Sequence, residues 1–86
     1  MITLREVEAL IAVADCGSFM RAARRLGTTQ GTVSKIIAGM EQKLGVQLVK
    51  RTSEGSSLTR EGRYVYGHAE EIETLVLQIR EIVSEV

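Results

Sequence analysis

The sequence contains no proline, one cysteine, one histidine and no excess of either charge. The single thiol, Cys16, permits no internal disulfide and no multi-cysteine metal site, which fits a reducing compartment. Near the end of a predicted helix, it reads as a small packing residue. No apolar run approaches the roughly 18 residues of a membrane span, and no charged-then-apolar leader opens the chain, so a cytoplasmic protein is expected. No Gly-rich phosphate loop, nucleophile motif or paired ligand set accompanies Cys16 and His68. Neither an enzyme nor a metal site is therefore expected, and His68 reads as a partly buried polar tip. Internal repeats and low-complexity tracts are also missing.

What is present is a chain of 86 residues, 44% apolar and 26% charged. That composition fits one small globular domain with one core. A domain of this size buries only about 60% of its unfolded surface, so oligomerisation is expected. The zero net charge hides a segregation by element. Residues 16–69 hold nine Lys and Arg against three Glu, a balance of +6, whereas residues 1–15 carry −2 and residues 70–86 carry −4. A basic middle is what a phosphate-binding surface requires.

Thr3 and Glu6 form a capping box ahead of apolar residues at spacings of three and four, predicting a helix from about Leu4 to Asp15. Gly17 serves as its terminator, and Ser18 as the N-cap of a two-turn helix burying Phe19, Ala22, Ala23 and Leu26, ended by Gly27. Thr28 or Thr29 caps a third helix with the spine Val33, Ile36, Ile37, Met40 and Leu44, ended by Gly45. VQLVKR then alternates towards a strand, SEGSS supplies turn residues, and Leu58 with its neighbours forms a return strand. From Thr59 the pattern is helical to the end. Val65, Ile72, Ile79 and Val86 recur every seven residues, with His68, Leu75 and Ile82 as the second row of a heptad. Ala69, Val76 and Val83 widen that stripe, so the helix is expected to pack on the domain as well as on a partner.

The third helix has an unusual second face. On a wheel at about 100° per residue its apolar spine spans an arc of roughly 100°, while Gly31, Ser34, Lys35, Ala38, Gly39 and Gln42 lie opposite, flanked by Gln30 and Thr32. Short hydroxyls, an amide and one lysine are groups that hydrogen-bond base edges and phosphates, and glycine allows close backbone approach. The alternative is a merely solvated face. The order helix, short helix, tight turn, polar-faced helix, hairpin is that of a winged helix-turn-helix, with Lys50 and Arg51 where the wing begins.

FMRAARRLGTTQGTVSKII, MEQKLGVQLVKRT and LTREG, preceded by LREVEALIAVADCGS, together resemble the N-terminal DNA-binding domains of LysR-type transcriptional regulators over essentially the whole chain. The resemblance implies a mainly α fold, a winged helix-turn-helix of three helices plus a two-stranded wing (residues 1–58), followed by a long dimerising linker helix (residues 59–86). It implies that Gln30, Thr32, Ser34 and Lys35 approach bases or nearby phosphates, that Ser18 and Arg21 touch backbone, and that Arg51 with Ser53 serve the wing. The recognition helix, about Thr29 to Leu44, would enter the major groove, and the wing, about Val46 to Leu58, would lie on the backbone or minor groove. Dimerisation is expected through Val65, Ile72, Leu75, Val76, Ile79, Ile82 and Val83, on an interrupted inverted repeat.

The resemblance further implies a bacterial, cytoplasmic, nucleoid-associated homodimer, with higher oligomers of a full-length protein. No cofactor is expected in this chain, because the family binds small effectors in a C-terminal domain, and the chain itself reads as a piece of a longer protein. It departs from the family at Gly31, where proline is common, and at Val49 and Lys50, where an aromatic or leucine followed by glutamate is frequent. Gly31 is expected to loosen the first helical turn, and Lys50 to strengthen non-specific binding. One rival is a protein-interaction module acting through the C-terminal heptad helix. Another, a stand-alone or MarR-like winged helix, is disfavoured by the FMRAARRLGTTQGTVSK match.

Overall fold

The computed structural model describes residues 1–86, arranged as α1 (Leu4–Cys16), α2 (Phe19–Leu26), α3 (Gln30–Leu44), β1 (Val49–Thr52), β2 (Gly55–Leu58) and α4 (Arg60–Glu85). The fold is thus mainly α, with a two-stranded antiparallel wing after three helices and a long C-terminal helix. The helix starts follow the local signals. Thr3, Ser18, Thr29 and Thr59 each accept a backbone N–H from three residues on, and Thr3 completes its capping box with Glu6. Thr29, not Thr28, is the cap of α3, and α1 runs one residue past Asp15.

The core joins α1, α2, α3 and the start of the wing. Ala9, Leu10, Val13, Ala22, Val33, Met40 and Leu48 are its most deeply buried members, with Ala12, Phe19, Ala23, Ile37 and Val49 around them. A smaller cluster of Val7, Ile11 and Ala69 seats the first half of α4 on α1. Two expected spine residues of α3 differ: Ile36 is only half-buried, packed at the edge of the core, and Leu44, in the last turn before Gly45, is exposed. Gly39, assigned to the polar face, lies beside α1, where a Cβ would come 3.7 Å from the Glu6 carboxylate.

The wing is tighter than SEGSS suggests. Thr52 pairs with Gly55, so Ser53 and Glu54 alone form the tip and Gly55 to Ser57 belong to β2. Gly55 has φ 144°, and a Cβ there would overlap the Gly17 carbonyl oxygen. That close approach lets Ser56 N–H donate to Gly17 O at 2.9 Å, tying β2 to the turn between α1 and α2.

The MEQKLGVQLVKRT and LTREG segments hold the wing and α4 in place. Glu41 accepts the Leu48 and Val49 N–H groups at 2.7 and 3.2 Å, closing the α3–β1 connection. Thr59 donates its hydroxyl to Gln47 O at 2.6 Å and its N–H to Leu48 O at 2.9 Å. A Cβ at Gly62 would overlap that same Leu48 carbonyl, so α4 starts in backbone contact with the wing.

From Leu77 on every residue of α4 is exposed, and the overall dimensions are 48 × 26 × 19 Å. No helix is long and apolar enough to cross a membrane.

Candidate nucleic-acid interface

The polar face of α3 and the wing meet through one cation. Arg51, on β1, donates from Nη2 to Ser34 Oγ, and its guanidinium carbon lies over the Phe19 ring, 3.8 Å from the centroid. Phe19 is itself buried at the start of α2, so the ring is a fixed platform and the cation is held by stacking as well as by the hydroxyl. Arg51, Ser34 and the Ser18–Phe19 turn therefore form one continuous surface. Neither the Phe19 stack nor the Ser34 bond has a sequence signal, because the three residues are far apart in the chain and Phe19 reads only as core.

The other expected residues fall into two groups. Ser18 and Thr32 already serve helix starts: Ser18 Oγ accepts Arg21 N–H at 3.1 Å, and Thr32 shares a hydroxyl contact of 2.8 Å with the Thr29 cap. Each hydroxyl keeps capacity for a further bond. By contrast, Arg21, Gln30, Lys35 and Ser53 have exposed side chains, and neither of the two ion pairs, Arg25–Asp15 and Lys43–Glu6, involves them. Gly31 has open space where a Cβ would stand. The first two turns of α3 thus present an amide, a bare backbone position and a lysine with no acidic neighbour in bonding distance.

Charges used for structure lie elsewhere. Lys43, in the last turn of α3, bonds Glu6 at 3.0 Å and the Met1 carbonyl at 3.1 Å. The Thr3 backbone N–H, and after it the Lys43 ammonium, hold the Glu6 carboxyl below its ordinary value. No group of three or more His, Cys, Asp or Glu side chains gathers into a metal-ligand set.

On α4 the expected dimerisation residues divide. Val65 packs against the main core and Val76 is half-buried, whereas Leu75, Ile79, Ile82 and Val83 are 58–70% exposed. Ile72, at 37%, lies at the boundary and lines a groove on either side of the helix. His68, expected to be partly buried, is exposed, its Nδ1 3.0 Å from Tyr64 O; the first half of α4 turns Ala69, not His68, onto α1. Leu77, outside the heptad rows, is a further exposed apolar residue, and it lines the groove facing α1 and α2.

Residues 4–63 match the family described as bacterial regulatory helix-turn-helix protein, lysR family. The chain is 38% identical over 84 residues to the HTH-type transcriptional regulator CrgA of Neisseria meningitidis, covering 90% of this chain and 28% of that protein. It is 42% identical over 83 residues to the small neutral protease regulatory protein of Streptomyces coelicolor, covering 92% of this chain and 25% of that one. The chain therefore spans about a quarter of the length of these curated relatives. Among solved structures, the BenM DBD complex with benA site 1 DNA superposes with a TM-score of 0.90 at 31% identity, over 96% of this chain and 93% of that one. The CbnR DBD–DNA complex gives 0.88 at 29% identity, over 96% and 95%.

Proposed function

The chain belongs to the LysR family of bacterial helix-turn-helix regulatory proteins, and from that premise we propose how this DNA-binding transcriptional regulator domain engages duplex DNA. The first turn of α3 enters the major groove, with Gln30 and Thr32 at base edges and Lys35 at bases or an adjacent phosphate. Arg21 and Ser18 touch the backbone beside it. Arg51 and Ser53 carry the wing onto the neighbouring backbone or minor groove.

The observation that carries this reading is the Phe19–Arg51–Ser34 contact, which makes wing and recognition helix one basic surface. It also refines the role of Ser34. A hydroxyl that already accepts from Arg51 acts chiefly by holding that cation at a phosphate, so the specific base contacts fall to Gln30, Thr32 and Lys35.

In this reading residues 1–58 read DNA and residues 59–86 join two copies through α4, so that symmetric readers meet an interrupted inverted repeat. Exposed Leu75, Ile79, Ile82 and Val83 form the seam, and the acidic surface of α4 fits an element held off the phosphates.

The test is fluorescence anisotropy of a labelled random-sequence duplex titrated with the chain at several salt concentrations. Affinity that falls steeply with salt is expected. No binding at low salt would overturn the reading and favour a module that acts only through α4. For the seam, sedimentation of the Ile72→Lys, Ile79→Lys double variant is expected to give half the parent mass; an unchanged mass would remove α4 from the interface.

A further inference from the structure

The long helix α4 is gripped firmly at its start and loosely at its flanks. Thr59 and Gly62 fix its first turn against the Leu48 carbonyl. Beyond that turn, however, the helix runs past two open grooves that meet at Ile72. One, of about 270 Å³, runs between α4, α1 and the end of α2, past Ile11, Leu26, Val76 and Leu77. The other, of about 600 Å³, lies between α4, the start of α1 and the end of α3, past Ile2, Met40, Leu44 and Val65. Val65 and Ala69 seat the first half of α4, but apolar packing is not directional, and the space on both sides leaves the lateral tilt of the helix about that seat weakly determined.

One polar chain supplies direction. The Tyr66 hydroxyl donates to Asp15 Oδ1 at 2.5 Å, and Asp15 Oδ2 pairs with Arg25 Nη1 at 3.3 Å. Tyr66 belongs to α4, Asp15 to the last turn of α1 and Arg25 to the last turn of α2. Beyond the Thr59 cap it is the only hydrogen-bonded tie from α4 to the other helices, since the remaining side-chain bonds of α4, from His68 and Ser84, stay within it. The Asp15 carboxylate, burial and the neighbouring Glu70 raise the Tyr66 pKa, so the phenol, protonated at neutral pH in any case, stays a donor into the alkaline range. None of the three residues lies among those assigned to DNA or to the dimer seam.

The leverage is large. Glu85 lies nineteen residues beyond Tyr66 on the same helix. At about 1.5 Å per residue that is a lever of about 28 Å, so a tilt of about 7° moves its end by about 3.4 Å, one base-pair rise. We propose that the Tyr66–Asp15–Arg25 chain sets the direction of α4 from the DNA-reading body and thereby determines which spacing between half-sites a pair of chains selects. These are positioning residues: they touch neither DNA nor partner and act through the angle of α4. The inference rests on the dimer reading given above.

The experiment selects bound duplexes from a pool of randomised half-sites arranged as inverted repeats with spacers of graded length, using the parent, Tyr66→Phe and Asp15→Asn. The parent is expected to enrich one spacer. Tyr66→Phe keeps the ring and removes the bond, and its discrimination between that spacer and spacers one base pair longer or shorter is expected to fall about fivefold, the worth of one hydrogen bond. Asp15→Asn keeps an acceptor for the phenol while weakening the Arg25 pair, and is expected to lie between the two.

Single half-site affinity and sedimentation mass are measured alongside and are expected not to change. Equal spacer discrimination in Tyr66→Phe and the parent, with both proteins dimeric, would overturn the proposal and leave the dimer reading intact. A parent that sediments as a monomer would overturn both. If Tyr66→Phe fails to fold, the Asp15→Asn spacer profile decides alone, and identity with the parent would count against the proposal.

Discussion

At the C-terminal end of α3 both charged side chains are bonded: Glu41 accepts two backbone N–H groups of the wing's entry, and Lys43 bridges Glu6 and the Met1 carbonyl. At the N-terminal end Gln30 and Lys35 stand exposed and unpaired, with Gly31 open between them. The two ends have opposite employment. Polar groups that complete the fold find partners inside it, and those without partners are free for a ligand. Changes at the bonded end should therefore cost stability, and changes at the unpaired end should cost recognition.

The largest effect is expected at the bonded end. Glu41→Ala strands the Leu48 and Val49 N–H groups, and is expected to cost about 2 kcal/mol in urea unfolding, with the DNA preference of the folded molecules unchanged. A variant as stable as the parent would mean that Glu41 does not hold the wing. Next comes Gln30→Ala, which is expected to leave the unfolding midpoint in place and to lower the ratio of cognate to random-duplex affinity by about tenfold, or 1.4 kcal/mol. Arg21→Ala should weaken both duplexes alike. If Gln30→Ala left that ratio untouched, the first turn of α3 would not be the reading surface.

Glu6 sharpens the contrast through pH. Its pKa in the folded chain lies below the ordinary 4.5, first through the Thr3 backbone N–H and then through Lys43. Folding therefore favours the ionised form. Its stabilisation is fully present above the unfolded value and is lost as pH falls through 4.5 towards the folded one. The melting midpoint of the parent should exceed that of Glu6→Gln at pH 7, and the gap should narrow as pH falls below 4.5; a gap independent of pH would mean that the ionisation of Glu6 does not contribute to stability.

The bonded and unpaired residues were unequally legible in sequence. Caps such as Thr3, Ser18 and Thr59 and the terminators Gly17, Gly27 and Gly45 are local, so the helix order and nearly all helix ends could be read directly. The exposed polar side chains could be read too, because a face of Gln30, Gly31 and Lys35 has few uses in a core. Contacts between distant segments could not. Nothing in TVSK signals that Ser34 meets Arg51, or in GSF that Phe19 carries it, and the exposure of Leu44 and His68 depends on where the chain turns after Gly45 and how α4 rolls on α1.

The smallest expected effect separates folding from reading at one residue. Gly31 occupies the second position of α3 and has no atom within 4 Å of a would-be Cβ. Gly31→Ala should therefore stabilise the chain by about 0.5 kcal/mol through helix propensity and a less flexible unfolded state. The same methyl group would stand on the face proposed to approach the duplex, so affinity for DNA should fall while the unfolding midpoint rises. Opposite signs in the two measurements place the α3 backbone against DNA at Gly31. If stability and affinity rise together, the glycine is not needed for close approach, and the reading surface begins no nearer the helix start than Thr32.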